Sequence, residues 1–147
     1  MKKRNAFTLV ELVVVVMILG ILAAVAAPKF LGQAQNANES NMKQSLTIIR
    51  DAIEIFASQN NGKLPLEVAS PKNDATFQAE ITPLLRGGKF PASPLSTGTP
   101  TVKIEAGSFD ETKCDGTGGH WVYFWGDGTF VVNSDETDSN TVKYHDY

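Results

Sequence analysis

The chain has 147 residues, enough for one small folded domain behind an N-terminal segment, and its single cysteine, Cys114, excludes an intrachain disulfide. Its 13 Lys and Arg residues against 16 Asp and Glu residues give a formal net charge of −3. Three of the basic residues are residues 2–4, so the rest of the chain, with ten basic and sixteen acidic residues, carries −6 and lacks the basic surface of a nucleic-acid-binding protein.

An apolar segment follows the basic residues. Residues 7–27 contain one charged side chain, Glu11, and the stretch from Leu12 to Ala27 contains none. As a helix rising 1.5 Å per residue, this segment would span about 31 Å, enough to cross the hydrocarbon core of a bilayer. The positive-inside rule places its basic end in the cytoplasm. The segment therefore predicts a single-pass membrane helix.

A secretory signal peptide is the alternative interpretation of this segment. It would also have a basic start and an apolar core, with Ala24-Val25-Ala26 as the small-residue cleavage site. Glu11 argues against it, because a carboxylate in an apolar helix is costly and is seldom kept without a function. The alternative function is then a secreted, soluble binding domain released by signal peptidase.

The helical pattern continues beyond Pro28, which also argues against a signal peptide. Apolar residues recur at three-four spacing, which predicts an amphipathic helix half over residues 29–62. Asn60-Asn61-Gly62 ends the pattern, with Gly62 in the position of a C-terminal cap. The whole helix would be about 80 Å long. A small globule cannot bury such a helix, so its first half needs lipid or copies of itself. The apolar positions are Phe30, Leu31, Ala34, Ala37, Met42, Leu46, Ile49, Ala52, Ile53 and Phe56.

Gly20 and Pro28 are the two weak points of the predicted helix. Proline removes a backbone donor and clashes with the preceding turn, and glycine costs about 1 kcal/mol relative to alanine. Both are also tolerated in membrane helices. A sharper interpretation is that the helix bends or partly melts there when it moves from lipid into a filament.

Residues 6–12, Ala-Phe-Thr-Leu-Val-Glu-Leu, resemble the cleavage and methylation signature of type IV prepilins and type II secretion pseudopilins. The resemblance implies a cut between Ala6 and Phe7 and N-methylation of Phe7 by the same peptidase. Glu11 then becomes the fifth mature residue and Pro28 the twenty-second, which are both family positions. Ala6 stands where the family usually has glycine.

The resemblance also implies the protein's function and partners. The chain would be a structural filament subunit with no catalytic residues, closest to a major pseudopilin, with residues 1–6 as leader and residues 7–28 as the membrane and filament-core helix. Prepilin peptidase, an assembly ATPase and an inner-membrane platform protein would process and assemble it. The C-terminal domain would lie in the periplasm, and the filament would be a periplasmic pseudopilus or a cell-surface pilus.

The carboxylate of Glu11 has a natural partner within this picture. A buried carboxylate is costly unless it is paired. The Phe7 amine of a neighbouring subunit is a cation at the positive end of a helix, so the pair would satisfy both charges and set the axial register. Pairing between Glu11 and the Phe7 amine of the same chain is the alternative. Filament assembly is thus assigned to Phe7, Glu11, Gly20 and Pro28.

The remaining chain, residues 63–147, predicts a small sheet behind a turn-rich region. A short helix is expected over residues 75–85 with Asp74 as its cap. Strands are expected at residues 101–105 and in a hairpin of residues 120–125 and 129–133, and residues 141–144 would add an edge strand. The predicted fold is α+β, with the long helix packed on an antiparallel sheet.

The hairpin alternates its side chains between two faces. Trp121, Tyr123 and Trp125 share one face, and Val122 and Phe124 the other. We expect one of these faces to pack on the helix, against Leu46, Ile49, Ile53 and Phe56.

The acidic C-terminal region contains the candidate metal ligands. Carboxylate oxygens bind Ca²⁺, and Asp135 and Asp138 are the calcium candidates. No EF-hand glycine accompanies them, so a solvated acidic loop is the favoured interpretation and no resident cofactor is expected. His120 and His145 have no paired nucleophile, and structural or surface roles are expected for both.

Overall fold

The computed structural model describes residues 8–95 and 98–147, apart from the side chain of Leu31. The chain divides into two compact units, Met1–Ala37 and Asn38–Tyr147. Its helices and strands, in chain order, are α1 (Leu9–Gln59), α2 (Asp74–Ile81), β1 (Val102–Glu105), β2 (Trp121–Phe124) and β3 (Thr129–Val132). Three short 3-10 helices cover Thr82–Leu84, Glu111–Lys113 and Tyr144–Asp146. The α+β class predicted from the sequence is confirmed.

The end of α1 follows the predicted stop signal. The last helical residue is Gln59, and the backbone N–H of Gly62 donates to the Ala57 carbonyl at 2.8 Å. Asn61 and Gly62 both have positive φ, +57° and +82°, a conformation in which glycine meets no steric penalty. The helix thus ends in a glycine cap, and the chain turns back towards the sheet.

One face of the sheet packs on the second half of α1, as predicted. Trp121 and Tyr123 are buried in the same cluster as Leu46, Ile49 and Ile53, and Phe56 lies at its edge. A contribution that the sequence did not indicate comes from α2. Its Phe77 ring lies 4.4 Å from Tyr123 and 5.9 Å from Phe130, measured between ring centroids.

The opposite face of the sheet is also covered. Cys114 packs there with Val122, Phe124 and Val131 in a second buried cluster, and the Phe109 ring meets Phe124 edge-on at 5.5 Å between centroids. The segment between β1 and β2 supplies this cover. The hairpin is therefore buried on both faces.

The sheet is mixed, not wholly antiparallel as predicted. β2 and β3 form the expected antiparallel hairpin, but β1 pairs parallel with β2, Val102 lying opposite Trp121. Parallel neighbours need a crossover of about a dozen residues or more. Residues 106–120 provide it, and the predicted antiparallel pairing of β1 is wrong for this reason.

The predicted edge strand at residues 141–144 is wrong. An isolated bridge joins Thr137 to Lys143, and Tyr144–Asp146 forms a 3-10 helix. Asp138 explains the difference, because its Oδ1 atom accepts the backbone N–H groups of Asn140 and Val142, both at 2.8 Å. A carboxylate that binds donors two and four residues ahead folds the chain into a turn instead of a strand.

The short helix α2 is capped by Asn73, not by Asp74 as predicted. The Asn73 side chain accepts the N–H of Thr76 at 2.9 Å, the usual N-cap bond. Asp74 is the first helical residue, and its Oδ1 atom accepts the N–H of Val102 at 3.0 Å, which ties α2 to β1. The α-helix stops at Ile81, and Pro83 lies in the 3-10 turn that follows.

Two polar side chains of α1 fasten the C-terminal segment to the helix. Arg50 donates from Nε to the Phe130 carbonyl at 2.9 Å and from a terminal nitrogen to the backbone oxygen of Tyr147 at 2.5 Å. Glu39, which is buried, accepts both the backbone N–H and the hydroxyl of Ser139 at 3.0 Å. Because Arg50 and Glu39 both have hydrogen-bond partners, neither is left as an unpaired buried charge.

Candidate functional site

The large apolar side chains in the first part of α1 are all exposed. Its large apolar residues between Leu9 and Val25 each expose between 47% and 78% of their surface. The helix is long and apolar enough to cross a membrane by length and composition. A continuous apolar surface of this kind requires lipid or another protein chain to cover it.

The N-terminus of α1 is capped by a pair of reciprocal hydrogen bonds between Thr8 and Glu11. The Glu11 carboxylate accepts the backbone N–H of Thr8 at 2.9 Å and its hydroxyl at 2.8 Å, both at Oε2. In return, the Glu11 backbone N–H lies 3.3 Å from the Thr8 hydroxyl oxygen. This is a capping box, in which a threonine before the helix and a glutamate three residues later satisfy each other's backbone donors.

Thr8 is the residue that the sequence interpretation missed. The pattern Thr-x-x-Glu before an apolar run was present at residues 8–11 and is the recognised signature of a helix start. Both of its bonds use one oxygen of Glu11. A carboxylate has lone pairs on both oxygens, so Oε1 can accept a further donor while the capping box stays intact.

Gly20 and Pro28 both lie inside α1, and the helix continues through them. A Cβ atom built on Gly20 would meet nothing within 4 Å. The single subunit therefore gives no packing reason for glycine at this position. The predicted bending of the helix at these two residues stays a prediction. Ala6 and Phe7, the predicted cleavage site and methylation site, lie outside the described residues.

The calcium candidates do not form a ligand group. Asp138 is buried and accepts the hydroxyl of Tyr147 at 2.5 Å in addition to its two backbone donors. These hydrogen bonds, that of Tyr147 foremost, lower the pKa of the Asp138 carboxyl to about 2. Asp135 is exposed. Within the described ranges, no group of three or more His, Cys, Asp or Glu side chains is placed so that it could hold a metal ion.

Cys114 and His120 lie around the loop that precedes β2. Cys114 is a free, buried thiol, and burial raises its pKa to about 11.

His120 lines a small cavity of about 160 Å³ with Ser93 and Asn133, and its Nδ1 atom is buried without a hydrogen-bond partner in the described structure. Asn133 binds the loop backbone through Gly116, Thr117 and Gly119, so the glycine-rich segment is a structural loop.

Comparisons with known proteins agree with the residues at the helix start. Residues 1–27 match the prokaryotic N-terminal methylation motif. The chain is 37% identical over 60 residues to the type IV narrow pilus major component PilA5 of Thermus thermophilus, covering 41% of this chain and 52% of that protein. It is 34% identical over 82 residues to the type II secretion system core protein G of Vibrio cholerae, covering 56% of this chain and 51% of that protein.

A third relative is the prepilin peptidase-dependent protein D of Escherichia coli, 36% identical over 62 residues, or 42% of either chain. The chain thus spans about half the length of the curated relatives that it matches. No solved structure matches it. The resemblance predicted from residues 6–12 is confirmed: this chain carries the N-terminal methylation motif of prepilins and is similar to both type IV pilus and type II secretion proteins.

Proposed function

We propose that this chain is a subunit of a membrane-anchored filament of the type IV pilus and type II secretion class, assembled through the first part of α1. The observation that carries the proposal is the exposed apolar surface between Leu9 and Val25, which begins at a capped helix end. Neighbouring helices of the same kind would cover this surface in a filament, and lipid would cover it before assembly. The similarity to pilus and secretion proteins supports the same function.

Processing and topology follow from the N-terminal motif. Prepilin peptidase would cut between Ala6 and Phe7 and methylate the new amine, and an ATPase and a platform protein of the inner membrane would drive assembly. Residues 2–4 would hold the leader in the cytoplasm, so the domain formed by Asn38–Tyr147 would face the periplasm. A type II secretion pseudopilus is the favoured filament, because core protein G from several bacteria is among the relatives.

Glu11 would have two roles in assembly. Its Oε2 atom caps its own helix through Thr8, while its negative charge and Oε1 remain available for the Phe7 amine of an adjacent subunit. A charge left in an apolar stack without a partner is strongly unfavourable. Pairing would therefore select the axial position at which each new subunit fits.

The mature N-terminus tests this proposal directly. Intact-mass and N-terminal peptide spectrometry on protein isolated from its native membrane should give Phe7 as the first residue, carrying one methyl group. A first residue at Ala27 would contradict the proposal and support a secreted domain released by signal peptidase. An uncut chain in cells that possess the peptidase would contradict both.

A further inference from the structure

The C-terminal 3-10 helix buries a histidine whose two ring nitrogens both face acceptor atoms. His145 exposes only 3% of its surface. Its Nδ1 atom lies 2.8 Å from the carbonyl oxygen of Ser134, and its Nε2 atom lies 3.8 Å from Glu111 Oε2 and 3.8 Å from Asp146 Oδ1. Within the part of the chain that the structure describes, Nε2 is buried without a hydrogen-bond partner. The surroundings of the ring therefore offer an acceptor to each nitrogen.

Only one protonation state of the ring matches this arrangement. The neutral ring with its proton on Nδ1 donates to Ser134 but turns the Nε2 lone pair towards the two carboxylates. The other neutral tautomer turns the Nδ1 lone pair towards the Ser134 carbonyl, which can only accept. The doubly protonated ring donates at both nitrogens, and its positive charge attracts both carboxylates. The contacts of His145 thus favour the protonated ring.

Two cations and the burial of the ring act in the opposite direction. Lys143 Nζ lies 3.4 Å from Glu111 Oε2, in an ion pair that is largely exposed and so is screened by solvent. Arg50, from α1, lines the cavity beside the ring together with Asp146, but its guanidinium is bound to two backbone oxygens. Burial disfavours any charged form. We expect the acceptors to outweigh these effects, because they lie against the ring nitrogens themselves.

The other described side chains that line this cavity are uncharged near neutral pH. β3 contributes Thr129 and Val131. The Phe109 ring lies 6.2 Å from the imidazole of His145, measured between centroids. Tyr147 also lines the cavity, and a phenol stays neutral in this range. The charge of the ring is therefore balanced mainly by Glu111 and Asp146, which lie against Nε2.

We propose that His145 is a proton-operated latch between the crossover segment (residues 106–120) and the C-terminal segment. Protonation would draw in the side chain of Glu111, which is 62% exposed and has room to move. The C-terminal segment is itself fastened to α1 through Arg50 and Glu39. The protonated latch therefore holds the cover of the second sheet face to the rest of the domain, and loss of the proton releases it. This device does not depend on the proposed filament function.

The direction of the pH effect follows from the acceptors around the ring. The unfolded chain lacks this arrangement, so the folded domain binds the proton in preference to the unfolded chain and protonation stabilises the fold. This stabilisation is present at about pH 5 and is lost as the pH rises towards about 8, the range in which histidine titrates. The chain has two histidines, so His120 provides an internal control.

The first test records the thermal unfolding midpoint of the full chain in detergent micelles from about pH 5 to 8. The midpoint should fall as the pH rises. Glu111→Gln and Asp146→Asn should each reduce this fall, and the double variant should remove most of it. Asp135→Asn is the matched control for the loss of an exposed carboxylate, and His120→Gln is the control for the second histidine. Both controls should keep the slope of the unchanged chain.

A second measurement follows the latch without unfolding the chain. In NMR titrations of the two histidine rings, the proton affinity of His145 should fall about threefold or more in the double variant, because the two carboxylates favour the charged ring. The proton affinity of His120 should not change. Hydrogen exchange of the amides in Glu111–Lys113, corrected for the intrinsic pH dependence of exchange, should be slower at about pH 5 than at about pH 8.

Three results would overturn the proposal. A midpoint that stays level or rises from pH 5 to pH 8 would show that the charged ring does not stabilise the domain. The same slope and the same His145 proton affinity in the unchanged chain and the double variant would show that the carboxylates do not hold the proton. Equal corrected exchange of Glu111–Lys113 at both pH values would show that the proton does not fasten the crossover segment.

Discussion

The two halves of α1 carry the same kinds of apolar side chain, but these side chains are exposed in the first half and buried in the second. Val13, Ile18 and Leu22 in the first half expose more than half of their surface, whereas Met42 and Ile49 in the second half are fully buried. The second half has its apolar residues on one stripe, which the sheet and α2 cover. The first half is apolar on all sides. An all-round apolar helix is typical of a span or a filament core, and a striped one of a domain surface.

Removal of residues 1–28 is the largest change that tests this comparison. A chain beginning at Lys29 should move from the membrane fraction to the soluble fraction, because the apolar half that requires lipid is gone. It should keep the circular dichroism of a folded α+β domain, since the core of Asn38–Tyr147 is untouched. A disordered spectrum would show that the second half of the helix depends on the first.

Glu11→Ala tests the charge within the apolar half. Membrane insertion and cleavage at Phe7 should persist, while filament yield should fall sharply, because each Phe7 amine would enter an apolar stack unpaired. An unpaired buried charge costs about 3–5 kcal/mol, or roughly a hundred- to several-thousand-fold in the association constant. Co-expression with the assembly machinery and counting of sheared filaments measure this effect.

Thr8→Ala is the matched control for Glu11→Ala. It removes the capping-box partner of Glu11 but keeps the carboxylate, so its effect reports the cap alone. Loss of an N-cap residue costs about 0.5–2 kcal/mol. Filament yield should therefore fall much less than in Glu11→Ala. Normal yield from Glu11→Ala would mean that apolar packing alone drives assembly, and the charge-pairing mechanism would have to be abandoned.

Two leucine-to-alanine substitutions, one in each half of α1, compare how much each half contributes to the free energy of unfolding of the domain. Leu46→Ala should lower the free energy of unfolding of the domain by about 2–5 kcal/mol, because it leaves a cavity between helix and sheet. Leu19→Ala, in the exposed half, should leave it nearly unchanged. Urea unfolding of both variants in detergent, followed by tryptophan fluorescence, checks this. Equal losses would contradict the division of α1.

The smallest predicted effect is on the pH dependence of the folded domain. The pKa of Asp138 is lowered to about 2 by its hydrogen bonds, against an ordinary value of about 3.9. Its contribution to stability is therefore fully present above about pH 4 and is lost as the pH falls towards 2. Asp138→Asn should flatten this part of the profile. Asp115, whose pKa is also about 2, should still contribute its own part of the pH-dependent stability in this variant. A profile unchanged by Asp138→Asn would contradict the assignment.

Local patterns in the sequence predicted the elements whose contacts are near in the chain. The three-four spacing of Leu46, Ile49 and Ile53 identified the buried stripe of α1, and the glycine-flanked turn identified the β2–β3 hairpin. The Thr8–Glu11 capping box is an exception: its four-residue signature was present in the sequence, but the sequence interpretation missed it. Such features depend on periodicity and turn chemistry, which a single sequence contains.

The other features that sequence reasoning missed depend on distant or competing contacts. The parallel pairing of β1 depends on a crossover over residues 106–120, which contains the buried Cys114. Residues 141–144 form no strand because the Asp138 carboxylate accepts the backbone N–H groups of Asn140 and Val142 and so holds this segment in a turn. The approach of Glu111 Oε2 to His145 Nε2, at 3.8 Å, joins two residues that are far apart in the sequence, and no spacing rule would indicate it.

The buried Cys114 thiol can serve as a probe for local opening of the segment that covers the second face of the sheet. Because the thiol is the only one in the chain and 1% exposed, a thiol reagent can reach it only when the segment over the sheet lifts away. The raised pKa keeps the thiol protonated and unreactive until that happens. The rate of labelling therefore measures how often this face of the domain opens, in detergent, in the membrane or within an assembled filament, without any engineered residue.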